Sequence, residues 1–232
     1  SDGMSTNTSG TSNFIAGVNA GNSIQSGGNY NVAVGDEAGT AITTGDNNVV
    51  IGYAAGAAIT TGLKNIFIGS NTGDAVTTAN ENVAVGHFVM SNNVLGAKNT
   101  AVGTSTLSAL NPATATDMYN VAVGFQAGNA VTTGIRNTLI GSRTGDAFTD
   151  ADYNVALGYN ALTSDTLGST STAIGYSALE TQNFTTATDS YNTAVGYTAG
   201  MGITTGIRNT LIGGKTGDEV TTGEGNVAVG YE

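Results

Sequence analysis

Cysteine and tryptophan are missing from the 232 residues, proline occurs once, and only six residues are basic. Without cysteine there is no disulfide framework and no thiolate metal site. Six Lys and Arg, scattered along the chain against 17 Asp and Glu for a net charge of −11, form no basic patch for a phosphate backbone. Nucleic acid is therefore not an expected partner. No apolar run reaches the length of a signal sequence or a membrane-spanning helix, so no membrane insertion is expected. Charge is scarce at 10% of residues, which argues against charge-driven disorder, and the 39% apolar content suffices to bury a core.

What is present in excess is glycine, 35 residues, and it recurs on a period. TTGIRNTLIG occurs at 132–141 and again at 204–213, with TTGLKNIFIG at 60–69, so the copies start 72 residues apart. Inside that period lies a shorter one, a pentad Asn-x-x-(Val/Ile/Leu)-Gly. Its Asn residues are Asn31, Asn48, Asn65, Asn82, Asn99, Asn120, Asn137, Asn154, Asn192, Asn209 and Asn226, with a weaker first copy at Asn13 and Ser171 in one place. Spacing is 17 residues, except for 18 at the first step and 21 at 99→120 and 171→192. Three steps of 17 and one of 21 make 72, so the chain is built of four-unit cassettes at about 48–119, 120–191 and, in part, 192–232.

Thirteen units of near-constant length, each with one short apolar run, predict an all-β fold: a β-solenoid, or parallel β-roll, with one 17-residue coil per unit. The pentad is strand-like, and A-G-x-A-(Ile/Val)-T-T-G reads as a second short β segment with Gly at its corners. Helices are not expected, because no apolar stripe at 3.6 spacing appears. Stacking at about 4.8 Å per coil would give a rod on the order of 60 Å. The 21-residue units become loops near 108–119 and 180–191, the first holding Pro112. Residues 1–12 read as a linker or expression remnant, 13–232 as a single repeat domain, and the whole as a piece of a longer protein.

The Asn column is expected to form a ladder of stacked amides. Pentad positions two (Val, Ile, Thr or Phe) and four share one strand face and position three points the other way, yet it too is apolar. A strand apolar on both faces needs cover on both, which points to oligomerisation. The bulky third-position residues Phe67, Leu139 and Leu211, one cassette apart, are the expected inter-chain core.

Copies such as NTAVGYTAGMGITTG at 192–206, STAIGYSAL at 171–179 and NVALGYNAL at 154–162 resemble the head repeats of trimeric autotransporter adhesins. More closely, they resemble the shaft repeats of bacteriophage tail fibres. The resemblance covers about residues 13–232. It implies a left-handed β-roll, a homotrimer around a common axis, and a place in a virion tail fibre or at a cell surface, contacting a host-surface glycan or protein. The 17-residue unit, longer than that of the autotransporter repeats, favours the phage-type reading over a bacterial adhesin head.

No catalytic constellation, cofactor or metal site is expected. His87 is the only His and takes a position where other coils carry Tyr or Phe. GGKTGD at 213–218 has Asn209 where a phosphate loop needs Gly, and DADYN at 150–154 lacks the Gly and Glu of a calcium loop. Asp150, Asp152 and Asp165 make no convincing carboxylate set. Tyr159, Tyr176 and Tyr197 follow the pentad Gly in successive coils, as corner packing or as glycan-contact aromatics. Lys64, Arg136 and Arg208 share one cassette position and read as solvated surface. The alternative function is an ice-binding solenoid, on the Thr pairs that begin at Thr43, Thr60, Thr77, Thr132, Thr204 and Thr221.

Overall fold

Each pentad becomes one three-residue strand. In the computed structural model, which describes residues 4–5 and 8–232, the chain is a parallel β-solenoid of about thirteen turns with no helix among the described residues. It divides into two compact units, Ser1–Met118 and Tyr119–Glu232.

In the first unit, Phe14–Ala16, Val32–Val34, Val49–Ile51, Ile66–Ile68, Val83–Val85 and Thr100–Val102 pair in parallel, the pentads in strict register. Met4–Ser5 lies antiparallel against Phe14–Ala16. In the second unit the strands are Val121–Val123, Thr138–Ile140, Val155–Leu157, Thr172–Ile174, Thr193–Val195, Thr210–Ile212 and Val227–Val229, again parallel and in register.

The strand ends at a Gly held at positive φ. At Gly158 φ is +139°, and a Cβ there would lie 2.2 Å from the carbonyl oxygen of Gly175 in the next coil. Stacking at strand spacing therefore leaves no room for a side chain at this corner.

The second half of the coil is not the β segment expected from its Ile/Val-Thr-Thr run. It is a string of turns. Left-handed residues such as Glu37 (φ 62°) and Gly39 (φ 56°) interrupt any extended run. Amides alternate between partners: Ile42 N–H donates to Gly39 of its own coil (3.1 Å), while Gly39 and Ala41 donate to Ala55 and Ala57 of the next (2.9 and 3.1 Å).

In the 21-residue coils the extra residues form a second small parallel ladder, Gly96–Ala97 with Thr116–Asp117 and Gly168–Ser169 with Thr188–Asp189. The tips at 113–115 and 185–187 are exposed, whereas Pro112 is buried beside Gly96.

The core is the thin interior of each coil, and two coil types fill it differently. In one, a left-handed Gly faces a large residue: Gly73 lies flat on the Phe67 ring, where its Cβ would come within 2.5 Å, and Gly145 lies against Phe148 and Leu139. In the other, Met90, Leu107, Leu162 or Leu179 takes the Gly position, still left-handed (φ 48–54°) and fully buried, opposite a third-position Ala. Each full cassette holds two coils of the first type and then two of the second. The Met or Leu of the second type supplies volume that Phe67 or Leu139 supplies in the first, whereas the Gly coils of Ala33, Ala122 and Ala194 are small at both places.

Candidate functional site

The Asn column is an interior ladder. Asn48 shows the unit: its backbone N–H donates to Asn31 Oδ1 (2.9 Å), and its Nδ2 donates to the same oxygen (3.2 Å) and to the Gly62 carbonyl of its own coil (2.8 Å). Asn65, Asn82, Asn137, Asn154 and Asn209 repeat it. These amides are buried and occupied in holding coils together, so they offer nothing to a ligand.

Where Ser171 replaces Asn, a polar cluster substitutes. Ser171 Oγ bonds Ser190 Oγ, and Gln182 Nε2 donates to Ser171 Oγ (3.0 Å) and to Asp165 Oδ2 (2.6 Å). Gln182 Oε1 accepts from Asn192 Nδ2 (2.8 Å). Asp165 is fully buried and accepts also from the amides of Gly168 and Phe184 (3.0 and 3.1 Å). Burial pushes its carboxyl above the usual range, against those hydrogen bonds. It is a structural carboxylate.

Phe67, Leu139 and Leu211 are not an inter-chain core. Each is enclosed by its own chain, at 0, 0 and 1% exposure. The reason is the period of two: Asn at position one is interior, so position three is interior as well. Positions two and four, which that expectation left to the coil's own interior, then face outward. Ile66 and Ile68 in the first unit, and Val121, Ile140, Val155, Leu157 and Ile212 in the second, all lie at least 36% exposed on outward strand faces that no other described residue covers.

Beyond the corner Gly, Tyr159, Tyr176 and Tyr197 stack ring on ring, centroids 5.4 and 5.3 Å apart and planes within 17°. Their inner faces are spent on one another, leaving edges and hydroxyls outward. In the column before the Asn, the Arg136 guanidinium sits between Tyr119 and Tyr153 (5.8 and 5.3 Å to the ring centroids) and donates to Tyr153 Oη (2.6 Å). Lys64 pairs with Glu81 at 3.6 Å. The first Thr of five of the six pairs is committed, as Thr43 Oγ1 and Thr132 Oγ1 donate to the Thr60 and Thr149 carbonyls (3.0 and 3.1 Å) and Thr60, Thr77 and Thr204 follow them, so in those coils one Thr faces out.

The remaining candidates stand apart. His87 is exposed, its ring tilted on Phe88 at 4.1 Å. Asp150 accepts from Thr133 (2.5 Å) and Asp152 from the Ile135 amide (2.7 Å), while Asp165 lies in the cluster above. Burial raises the Asp152 carboxyl, and the neighbouring Asp150 adds to it. Among the described residues no three His, Asp or Glu gather as metal ligands, and no helix is long and apolar enough to cross a membrane. Comparison with protein-family models, curated proteins and solved structures found no match.

Proposed function

We propose that this chain is a non-enzymatic structural and adhesive segment of a trimeric fibre, most nearly a bacteriophage tail fibre that contacts the host surface. One observation carries the reading: the outward face of pentad positions two and four, made mostly of Val, Ile and Leu with Thr at position two of five coils, which no other described residue covers. Parallel sheets are ordinarily covered on both faces, and contiguous exposed apolar surface marks an interaction site. Copies of the same chain are the natural cover. The face repeats with the coil, so a second copy presents matching rows at matching spacing, and closed symmetric assembly uses one patch many times. The repeat resemblance sets the number at three and the setting at a virion or cell surface, with exposed insert tips at 113–115 and 185–187 available to a host glycan or protein.

Light scattering on a sizing column tests this directly. A mass of three times 23.0 kDa is expected. A folded monomer of 23.0 kDa would sink the fibre reading.

A further inference from the structure

Two columns, exposed or half-exposed throughout, flank the outward strand face: the residue just before each ladder Asn and the residue just after each corner Gly. In the coil of Asn137 they are Arg136 and Ser142. Six residue steps, most of them extended, set the two columns on the order of 18 Å apart in one chain. Side chains at that separation do not touch, so nothing within a coil obliges one column to answer the other.

They answer each other nonetheless. Equivalent coils of successive cassettes, 72 residues apart, allow the comparison. Lys98 with Thr104 in the coil of Asn99 is replaced by Thr170 with Tyr176 in the coil of Ser171, so long-before-short becomes short-before-long. Tyr153 with Tyr159 in the coil of Asn154 stands as Glu81 with His87 in the coil of Asn82, so ring against ring becomes acid against imidazole. No coil with Lys or Arg before the Asn has a ring after the Gly: Lys64 goes with Ser70, Arg136 with Ser142 and Arg208 with Gly214. Positions that change together mark spatial contact, and one chain gives these columns none.

A second copy supplies it. In a closed cyclic assembly about an axis parallel to the coil stack, rotation alone relates the copies, so a given coil lies at the same height in each. With the outward faces turned to the axis, each flank meets the opposite flank of the next copy. We infer that copies of this chain pack flank to flank and in register, the column before the Asn of one copy against the column after the Gly of its neighbour, coil on the same coil. The inference rests on the trimer of the proposed function and names what each copy supplies to the next. It sets the Glu81 carboxylate against the partner's His87, the one coil with an acid in one column and an imidazole in the other. It sets the Tyr153 ring against the partner's Tyr159. Tyr159 is stacked face to face on Tyr176, which leaves its edge for an edge-to-face contact.

Disulfide trapping tests this, since the chain has no Cys of its own. Two double variants are made, Glu81→Cys with His87→Cys in the first unit and Tyr153→Cys with Tyr159→Cys in the second. Glu81 and Tyr153 already hold left-handed φ as non-glycine residues, so Cys adds no backbone strain there. A disulfide needs Cα atoms within about 7 Å, so the two Cys of one chain cannot join and any bridge links copies. After mild oxidation each double variant is expected to run on a denaturing gel as a closed ring of three chains, released by reductant, while each single-Cys variant runs as one chain. Glu81→Cys with Tyr53→Cys, two coils or about 9.6 Å out of register, is expected not to link. Circular dichroism and light scattering before oxidation check that each variant folds and associates. Should either double variant not do so, Lys98→Cys with Thr104→Cys must give the closed ring in its place. A three-chain mass with no ring from these pairs, or a ring from the out-of-register pair, overturns the inference and leaves the trimer standing. A one-chain mass for the unaltered protein removes both.

Discussion

A single amide in the ladder serves three neighbours, which sets the penalty for losing it. Asn137 Oδ1 accepts from both the backbone N–H and Nδ2 of Asn154 (3.0 and 3.2 Å), and Asn137 Nδ2 caps the Ala151 carbonyl (2.7 Å). Asn137→Ala leaves these groups buried and unpaired and should destabilise the second unit by roughly 2–4 kcal/mol in chemical denaturation. Gly158→Ala combines a left-handed φ with a 2.2 Å clash on backbone, and should cost at least as much by the same measurement. Asp165 gives a pH signature. Its folded carboxyl holds a proton more tightly than the unfolded chain's, so the folded state binds more protons in the window just above pH 3.8. Its contribution to stability is therefore greatest when it is protonated and falls as pH rises through that window. Asp165→Asn with Gln182→Leu, the pair that the sister coil carries as Asn93 and Leu110, should flatten this slope in denaturation curves collected across acidic pH.

At the scale of the coil, volume exchange makes an interaction that single substitutions cannot display. The coil of Asn137 holds Leu139, Gly145 and Phe148, and the coil of Asn99 holds Ala101, Leu107 and Leu110, all fully buried in the same roles. Gly145→Leu alone drives a side chain into the Phe148 ring, 2.7 Å from the Cβ position, and should cost about 1–3 kcal/mol or more as overpacking. Adding Leu139→Ala and Phe148→Leu rebuilds the other coil type and should return most of that loss. Thermal melts of the single and triple variants decide the matter, and additive losses would contradict the two-type core. The turn-rich half coil belongs to the same argument. Its Ile/Val-Thr-Thr run has strand propensity, but the left-handed Gly or Leu before it tucks the apolar residue inward and spends the first Thr hydroxyl on the next coil's carbonyl.

For the whole molecule the decisive surface is the outward sheet face. Ile140→Lys with Leu157→Lys places two charges at positions 37 and 45% exposed in the single chain. Substitutions at such surface sites usually change stability within about 0.5 kcal/mol, so the coil fold should persist by circular dichroism. Buried between copies, the same charges would be unpaired and costly, so the proposed trimer should dissociate and the scattering mass should fall to 23.0 kDa. A mass unchanged by both lysines would show that this face is not where copies meet.

The period of 17, the Asn column and the corner Gly were all readable as letters, because each coil repeats the same contacts and repetition in space is repetition in sequence. Solenoid architecture and the absence of helix followed from that alone. Direction was not readable. Position three is apolar throughout and positions two and four are apolar or Thr, so composition does not say which face turns inward. That depends on the Asn side chain being interior, where its amide meets backbone groups of two coils. The cluster of Asp165, Gln182, Ser171 and Ser190 was equally hidden, since its members lie up to 25 residues apart and meet only because one coil is lengthened. Local period determined the coil; contacts between coils decided its inside and its outside.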